Sequence, residues 1–211
     1  MGATFLWLSL PIPPAYVADL SARFNEAVTA SPVSPTARWV LERWREAPHS
    51  LIPEFVPDPT RPGALTDAEG AEEFEELFRP EALSEFGQGI IRLGGEAEAW
   101  DFEFTEQNVV VTDRIPASAA LYFGLGEERA ARIPGHFGAL FVTPGEVGQV
   151  LSRVEGLFEK PTLEMRMRAR RWLDRGNNDF THPEELFAFI PRALRTSHAR
   201  HEGLLLLTAR G

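Results

Sequence analysis

The amino-acid sequence predicts an α+β fold, with one mixed, mostly antiparallel sheet of about five or six strands covered by about six helices. Three observations lead to this prediction. Apolar residues recur at helical spacing in several segments, most regularly between residues 147 and 158. Elsewhere apolar residues form short runs, such as 204–207, which favour strands. The helices and strands do not alternate regularly, so a doubly wound parallel sheet is not expected.

The length and composition are those of a globular protein. A chain of 211 residues, 44% of them hydrophobic, can bury a substantial core. We predict one domain over residues 1–211, with a loop and an acidic helix inserted at 48–98. Five prolines between Pro48 and Pro62 exclude helix and interior strand from the start of this insertion. The absence of cysteine excludes disulfides and is consistent with the cytoplasm, which is the location we predict.

The first hundred residues open with a predicted strand and two helices. The strand covers residues 3–10 and the first helix covers 15–30. A second helix begins at Ser34, a preferred N-cap residue followed by proline, and is expected to bury three large side chains, those of Trp39, Val40 and Trp44.

An acidic helix follows the proline-rich loop. Thr66 and Glu69 are spaced as a capping box. The inward side of the helix is predicted to consist of apolar residues, namely Ala71, Phe74, Leu77 and Phe78. Its outward side is predicted to consist of four carboxylates, namely Glu69, Glu72, Glu73 and Glu76. A short helix is expected from Pro80 to about Phe86, ended by a glycine-broken turn at residues 87–89.

The middle of the chain is predicted to supply most of the strands. Apolar residues alternate over 100–104, and residues 109–111 are the expected hairpin partner. Further strands are predicted at 119–123 and 137–142. Thr143 and Glu146 then have the spacing of a capping box before the helix at 147–158, and a basic helix is predicted at 162–175.

The last thirty residues are predicted to form a capped helix followed by a buried strand. Thr181 and Glu184 have capping-box spacing, and Pro191 is expected to kink the helix or to split it at Ile190. Gly203 is the predicted C-cap. Residues 204–207, four leucines without polar alternation, predict a strand covered on both faces of the sheet.

One segment resembles a known family. The sequence Phe137-Gly-Ala-Leu-Phe-Val-Thr-Pro-Gly-Glu-Val-Gly-Gln-Val-Leu151 is similar to the R-Y-L-T-P-E-E-V-x-x-V-x-x-x-L segment of the YfbM-like family, bacterial proteins without an established function. The resemblance extends over residues 1–10, 119–158 and 181–208. It implies a shared fold, and it implies no catalytic residues.

Charge is distributed unevenly along the sequence. The formal net charge is −10, which argues against general nucleic-acid binding because that requires a basic surface. Thirteen acidic residues lie between Asp67 and Glu106, against only Arg79 and Arg92. From Lys160 to the end, ten basic residues face six acidic ones. Such a dipolar surface can steer a charged partner.

The basic helix has two interpretations. Arg168, Arg171 and Arg175 share one helical face, so they are candidates for binding an anionic group. Alternatively, these arginines pair with the acidic helix of the same molecule. The opposite local charges favour the second interpretation.

The sequence contains no motif of an enzyme, metal site or cofactor site. There is no nucleophile elbow, phosphate loop or metalloprotease motif, and Gly124-Leu-Gly126 lacks the third glycine of a dinucleotide site. His198 and His201 lack a third metal ligand. No catalytic residue, metal or cofactor is therefore predicted. The apolar N-terminus is too short to cross a bilayer, so no membrane association is predicted.

Two functions remain open. The first is a non-enzymatic protein that binds a protein partner through its acidic surface, for example an immunity-type inhibitor of a basic toxin. The alternative is an enzyme that acts on a small molecule in a pocket under the proline-rich loop. Trp44, His49 and His136 are the candidate pocket residues.

Overall fold

The computed structural model describes residues 3–51, 55–57, 60, 65–67, 70–96 and 107–211, and it confirms the α+β class. The strands are β1 (Thr4–Ile12), β2 (Phe55–Pro57), β3 (Leu65–Asp67), β4 (Val109–Asp113), β5 (Leu140–Val142) and β6 (Gly203–Arg210). Four of them form an antiparallel sheet in the order β4-β1-β6-β5, and β2 pairs with β3 in a separate ribbon.

The described residues contain nine α-helices, more than the six or so expected. They are α1 (Val17–Thr29), α2 (Pro35–Glu46), α3 (Ala71–Glu76), α4 (Glu81–Glu96), α5 (Ala117–Leu125), α6 (Glu127–Ala130), α7 (Val147–Phe158), α8 (Leu163–Arg175) and α9 (Pro183–Arg200). Among the described residues, none of these helices combines the length and the apolar character needed to cross a membrane.

The C-terminal strand β6 lies inside the sheet, as predicted. It pairs with β1 from Phe5↔Arg210 to Ile12↔Gly203 and with β5 on its other edge. Leu204, Leu205, Leu206 and Leu207 are fully buried. Gly203 belongs to this strand, so its prediction as a C-cap is wrong. The left-handed residue that ends α9 is His201, with φ 56°.

Helices cover both faces of the sheet. Leu8, Leu205 and Leu207 face α1 and α4. Trp7 and Leu206 lie on the opposite face, in the core cluster that α5 and α9 share with α2, α3, α7 and α8. Every residue of α5 is buried, which makes it the central helix of the molecule.

Residues 119–123 were predicted as a strand, and this prediction is wrong. They belong to α5, which has no exposed face and therefore no amphipathic periodicity in its sequence. Its small residues allow α8 to approach closely. A Cβ atom on Gly124 would lie 2.8 Å from the Cβ of Ala169.

The predicted break after Phe86 is also absent. α4 continues to Glu96 because it packs directly on β6, and a Cβ atom on Gly87 would lie 2.7 Å from the Leu207 side chain. Gly87 is thus a packing residue in a helix. Tertiary contact outweighs the low helix propensity of glycine here.

Two predicted helix caps are wrong, and the split predicted as one of two outcomes at Pro191 does not occur. Thr66 lies in β3, and α3 starts after Gly70, so there is no capping box at this helix. Thr181 does not cap α9; its hydroxyl donates to the Val111 carbonyl on β4. α9 also passes through Pro191 without splitting, and Pro191 is buried in its middle. The buried neighbours on this helix stabilise it despite the missing N–H.

Other expectations are met only in part. Ser34 caps α2 as predicted, with its Oγ 3.1 Å from the Ala37 nitrogen, but Trp39 is exposed and not buried. β4 forms as expected and pairs with β1. Its predicted hairpin partner at 100–104 lies outside the described residues. β5 begins at Leu140 because residues 136–139 form a tight turn.

Candidate functional site

The acidic helix α3 is anchored by the Phe74 ring. This ring contacts Trp44, Phe123 and Trp172, with centroid separations of 5.1, 6.3 and 5.0 Å. All four apolar residues of the predicted inward side are buried. The predicted carboxylates Glu72 and Glu76 are exposed and Glu73 is partly exposed, while Glu69 lies outside the described residues.

The remaining carboxylate of α3, that of Glu75, points inward. Its Oε1 lies 3.0 Å from Arg175 Nε, and the two side chains are only 5% and 4% exposed. The guanidinium of Arg175 also lies 5.6 Å from the centre of the Trp172 ring. Arg175 is therefore a core residue that joins α8 to α3, which agrees with intramolecular pairing.

Two further arginines of α8 are paired within the C-terminal part of the molecule. Arg166 pairs with Glu184, and Arg170 pairs with Asp174 and Asp179. Arg168 contacts Glu164 and donates to the Gly124 carbonyl. The structure thus separates the three predicted anion-binding residues, since Arg175 is buried while the other two lie at the surface.

Arg168 and Arg171 line an open groove of about 780 Å³ beside α8. Its apolar wall includes Leu163 and Met167, which are 67% and 57% exposed. Exposed leucine and methionine side chains one helical turn apart are typical of a contact surface.

Trp39 is an exposed aromatic residue close to the acidic helix. It is 48% exposed, and Arg43 stacks on its ring with 5.2 Å between guanidinium carbon and ring centre. Trp39 and Gly70, the residue before α3, line one small cavity. The exposed ring therefore lies near the N-terminal end of α3.

A tight turn at residues 136–139 carries His136. His136 and Ala139 exchange two backbone hydrogen bonds of 2.7 and 2.9 Å, and both central residues have positive φ, 44° for Phe137 and 88° for Gly138. Both central residues of a type I′ turn also have positive φ, and this conformation is costly for phenylalanine.

Buried polar groups hold this turn in the core. Trp7 Nε1 donates to the Gly138 carbonyl, and the Gly138 N–H donates to the Tyr122 hydroxyl, both at 3.1 Å. Burial raises the pKa of Tyr122, so the hydroxyl stays protonated at neutral pH. Strained turns that are held in place by the surrounding structure are common at functional sites.

His136 lies between two cavities. One, of about 150 Å³, is lined by both Trp44 and His136, but none of its described lining residues belongs to the proline-rich loop; the side chain of His49 lies outside the described residues. The other is a groove of about 430 Å³ that includes Glu76, Arg79 and Glu81. Burial lowers the pKa of His136, so the imidazole is neutral at pH 7.

Sequence reasoning missed the roles of Glu75 and Arg175, although the signal was present. Glu75 is four residues after Ala71 and three before Phe78, both on the inward side. Arg175 is likewise three residues after the buried Trp172. The predicted inward side of the acidic helix did not include Glu75, and Arg175 was predicted to bind an anion at the surface.

No metal site is found within the described ranges, where no three histidine, aspartate or glutamate side chains are grouped closely enough to hold an ion. His198 and His201 are both exposed. Comparison with known proteins gives no match among protein-family models, curated proteins or solved structures. The resemblance to the YfbM-like family stays a prediction, and the function has to be argued from the geometry.

Proposed function

We propose that this protein binds a basic protein partner through the acidic α3 surface, which we define as Glu72, Glu73 and Glu76. One observation carries the proposal: the inward carboxylate of α3 has a buried arginine partner, whereas the outward carboxylates remain largely without one. Among the described residues, the one ion pair found for these three carboxylates is that of Glu72 with Arg79, at 3.9 Å. Like charges on one exposed helix face do not stabilise the helix itself.

Three arginines of the basic helix α8 are paired away from this surface. Arg175 is buried against Glu75, and Arg166 and Arg170 pair with acidic groups of α8, α9 and their connection. These three arginines therefore do not neutralise the exposed carboxylates of α3. Such a surface accelerates encounter with a basic partner and disfavours acidic ones.

Trp39 supplies an aromatic contact beside the acidic surface. Tryptophan is enriched among the residues that contribute most to binding at protein interfaces. Its ring also attracts arginine and lysine side chains, as the stacking of Arg43 illustrates. The arginine and lysine side chains of a basic partner would contact both the α3 carboxylates and the Trp39 ring.

The most specific form of this proposal is an immunity-type inhibitor in the cytoplasm that covers the basic active cleft of a toxin. A cleft that binds phosphate groups is rich in arginine and lysine, so an acidic surface is complementary to it.

The proposal is tested by capture from native lysate with three forms of the protein. The first is wild type, and the second carries Glu72→Lys, Glu73→Lys and Glu76→Lys. The third is a control with the same charge change at distant exposed positions, Glu128→Lys, Glu159→Lys and Glu185→Lys. We expect a basic protein that is retained by wild type and control, lost from the α3 variant, and released by salt. Equal retention by all three forms would refute the proposal.

A second candidate function, an enzyme acting on a small molecule, is favoured by the strained turn at His136. A neutral imidazole at a cavity can accept a proton from a bound molecule. This function predicts that His136→Gln abolishes turnover and leaves partner capture unchanged.

A further inference from the structure

The 430 Å³ groove at His136 has the size of a small-molecule site. It lies between the α1–α2 connection, the end of α3, the start of α4 and the turn at 136–139. Its lining combines apolar residues with four ionisable ones.

The ionisable side chains of the groove carry both signs of charge. Arg79 is the cation and Glu76 and Glu81 are the anions. The Arg79 side chain is 27% exposed, and its ion pair with Glu72 is long, at 3.9 Å, so its other N–H donors can reach a ligand. The two carboxylates and His136 are not grouped closely enough to hold a metal ion, which favours an organic ligand with separated charges.

The lining residues indicate which groups each end of such a ligand would contact. Ser34, the N-cap of α2, lines the groove, so the N-terminus of α2 adds to the positive field of Arg79 there. This combination suits a carboxylate. Glu76 and Glu81 suit an ammonium group, and Pro32, Val33 and Leu77 suit an apolar side chain.

His136 adds a neutral polar contact. Its turn is held by the hydrogen bonds of Gly138 with Trp7 and Tyr122, so the backbone that carries the imidazole is in place before a ligand arrives. A neutral imidazole offers one donor and one acceptor nitrogen. Preorganised groups of this kind favour binding because little freedom is lost.

We propose that this groove binds a small zwitterion of the amino-acid class with an apolar side chain. Its carboxylate contacts Arg79, its ammonium group contacts Glu76 and Glu81, and His136 bonds the polar end. This site is separate from the proposed partner surface, although Glu76 borders both.

The test is an NMR titration of the full-length protein with the twenty common amino acids, followed by calorimetry on those that bind. For the tightest binder, its amide and its deaminated acid are measured as well, because each lacks one of the two charges. Arg79→Gln and Glu81→Gln are compared with Arg92→Gln and Glu85→Gln, which change exposed residues of α4 outside the groove.

We expect saturable shifts of the His136 ring protons with at least one apolar amino acid. The amide and the deaminated acid should each bind about tenfold more weakly or worse, as should Arg79→Gln and Glu81→Gln, while the two control variants bind normally. Equal binding of the amide or of the acid would overturn the zwitterion assignment. Absence of saturable shifts with all twenty would overturn the site. Glu81 does not belong to the acidic α3 surface, so the outcome for Glu81→Gln is independent of partner capture, whereas Arg79→Gln also removes the ion pair with Glu72.

Discussion

Arg175 Nε lies 3.0 Å from Glu75 Oε1, and this ion pair joins α8 to α3 inside the protein. Glu75 and Arg175 are almost completely buried, so neither charge can be solvated if its partner is lost. We expect Glu75→Leu or Arg175→Met alone to lower the free energy of unfolding by about 3–5 kcal/mol.

The double variant Glu75→Leu with Arg175→Met is expected to recover most of this loss, because it leaves no unpaired charge. Urea unfolding of the single and double variants measures the coupling. If the loss of unfolding free energy in the double variant equals the sum of the losses in the two single variants, the assignment of a buried pair is contradicted.

The contact between α5 and α8 depends on the absence of a side chain at Gly124. A Cβ atom there would lie 2.8 Å from the Ala169 Cβ and 3.1 Å from the Met165 carbonyl oxygen. Gly124→Ala should therefore destabilise the protein by about 1–3 kcal/mol. Gly156→Ala, at an exposed position of α7 with nothing within 4 Å, should stabilise it by about 0.5–1 kcal/mol. Thermal unfolding of both variants checks the opposite signs, and equal signs would contradict this packing.

Asn178 fastens the α8–α9 connection to the edge strand β4. Its buried side chain accepts from the Asp113 N–H and donates to the carbonyls of Asp113 and Leu173. Asn178→Ala should cost about 1–3 kcal/mol, because it leaves buried backbone groups without partners. Asp179→Ala is the control, since it removes an exposed ion pair with Arg170 and should change stability by less than about 1 kcal/mol. Similar losses in both variants would contradict this role.

Stability should fall in mild acid because of His136. Burial lowers the pKa of His136 below 6.5 in the folded state, so the unfolded chain takes up this proton first as the pH falls. The contribution is fully present above about pH 6.5 and is lost between that value and the folded-state pKa. His136→Gln should flatten this part of the pH profile, whereas His198→Gln, at an exposed position, should leave it unchanged. A ring-proton titration with a pKa at or above 6.5 would contradict the prediction.

Prediction from the sequence succeeded for elements whose hydrophobic pattern is compatible with only one type of secondary structure. Residues 204–207 are too few for a helix and have no polar position, so a covered strand was the consistent reading. Residues 119–123 have a similar apolar run, yet they form a helix, because an entirely buried helix has no periodicity to reveal it.

The candidate site was less predictable because it depends on long-range contacts. The outward placement of Glu72 and Glu76 followed from helical spacing. The same spacing is compatible with an inward Glu75, but only the fold reveals its partner Arg175. The turn at 136–139 was not predictable, since Phe137 adopts a conformation that phenylalanine disfavours. Trp39 was expected in the core, and its exposure depends on how α2 lies against α3.

The most direct test of the proposed partner surface is carbodiimide cross-linking of the captured complex, which joins carboxylates to amines without a spacer. Because Lys160 is the chain's only lysine, nearly every such link from this protein must arise at an acidic residue. We predict links from partner lysines to Glu72, Glu73 or Glu76. Links confined to carboxylates elsewhere, with none on α3, would contradict the proposal.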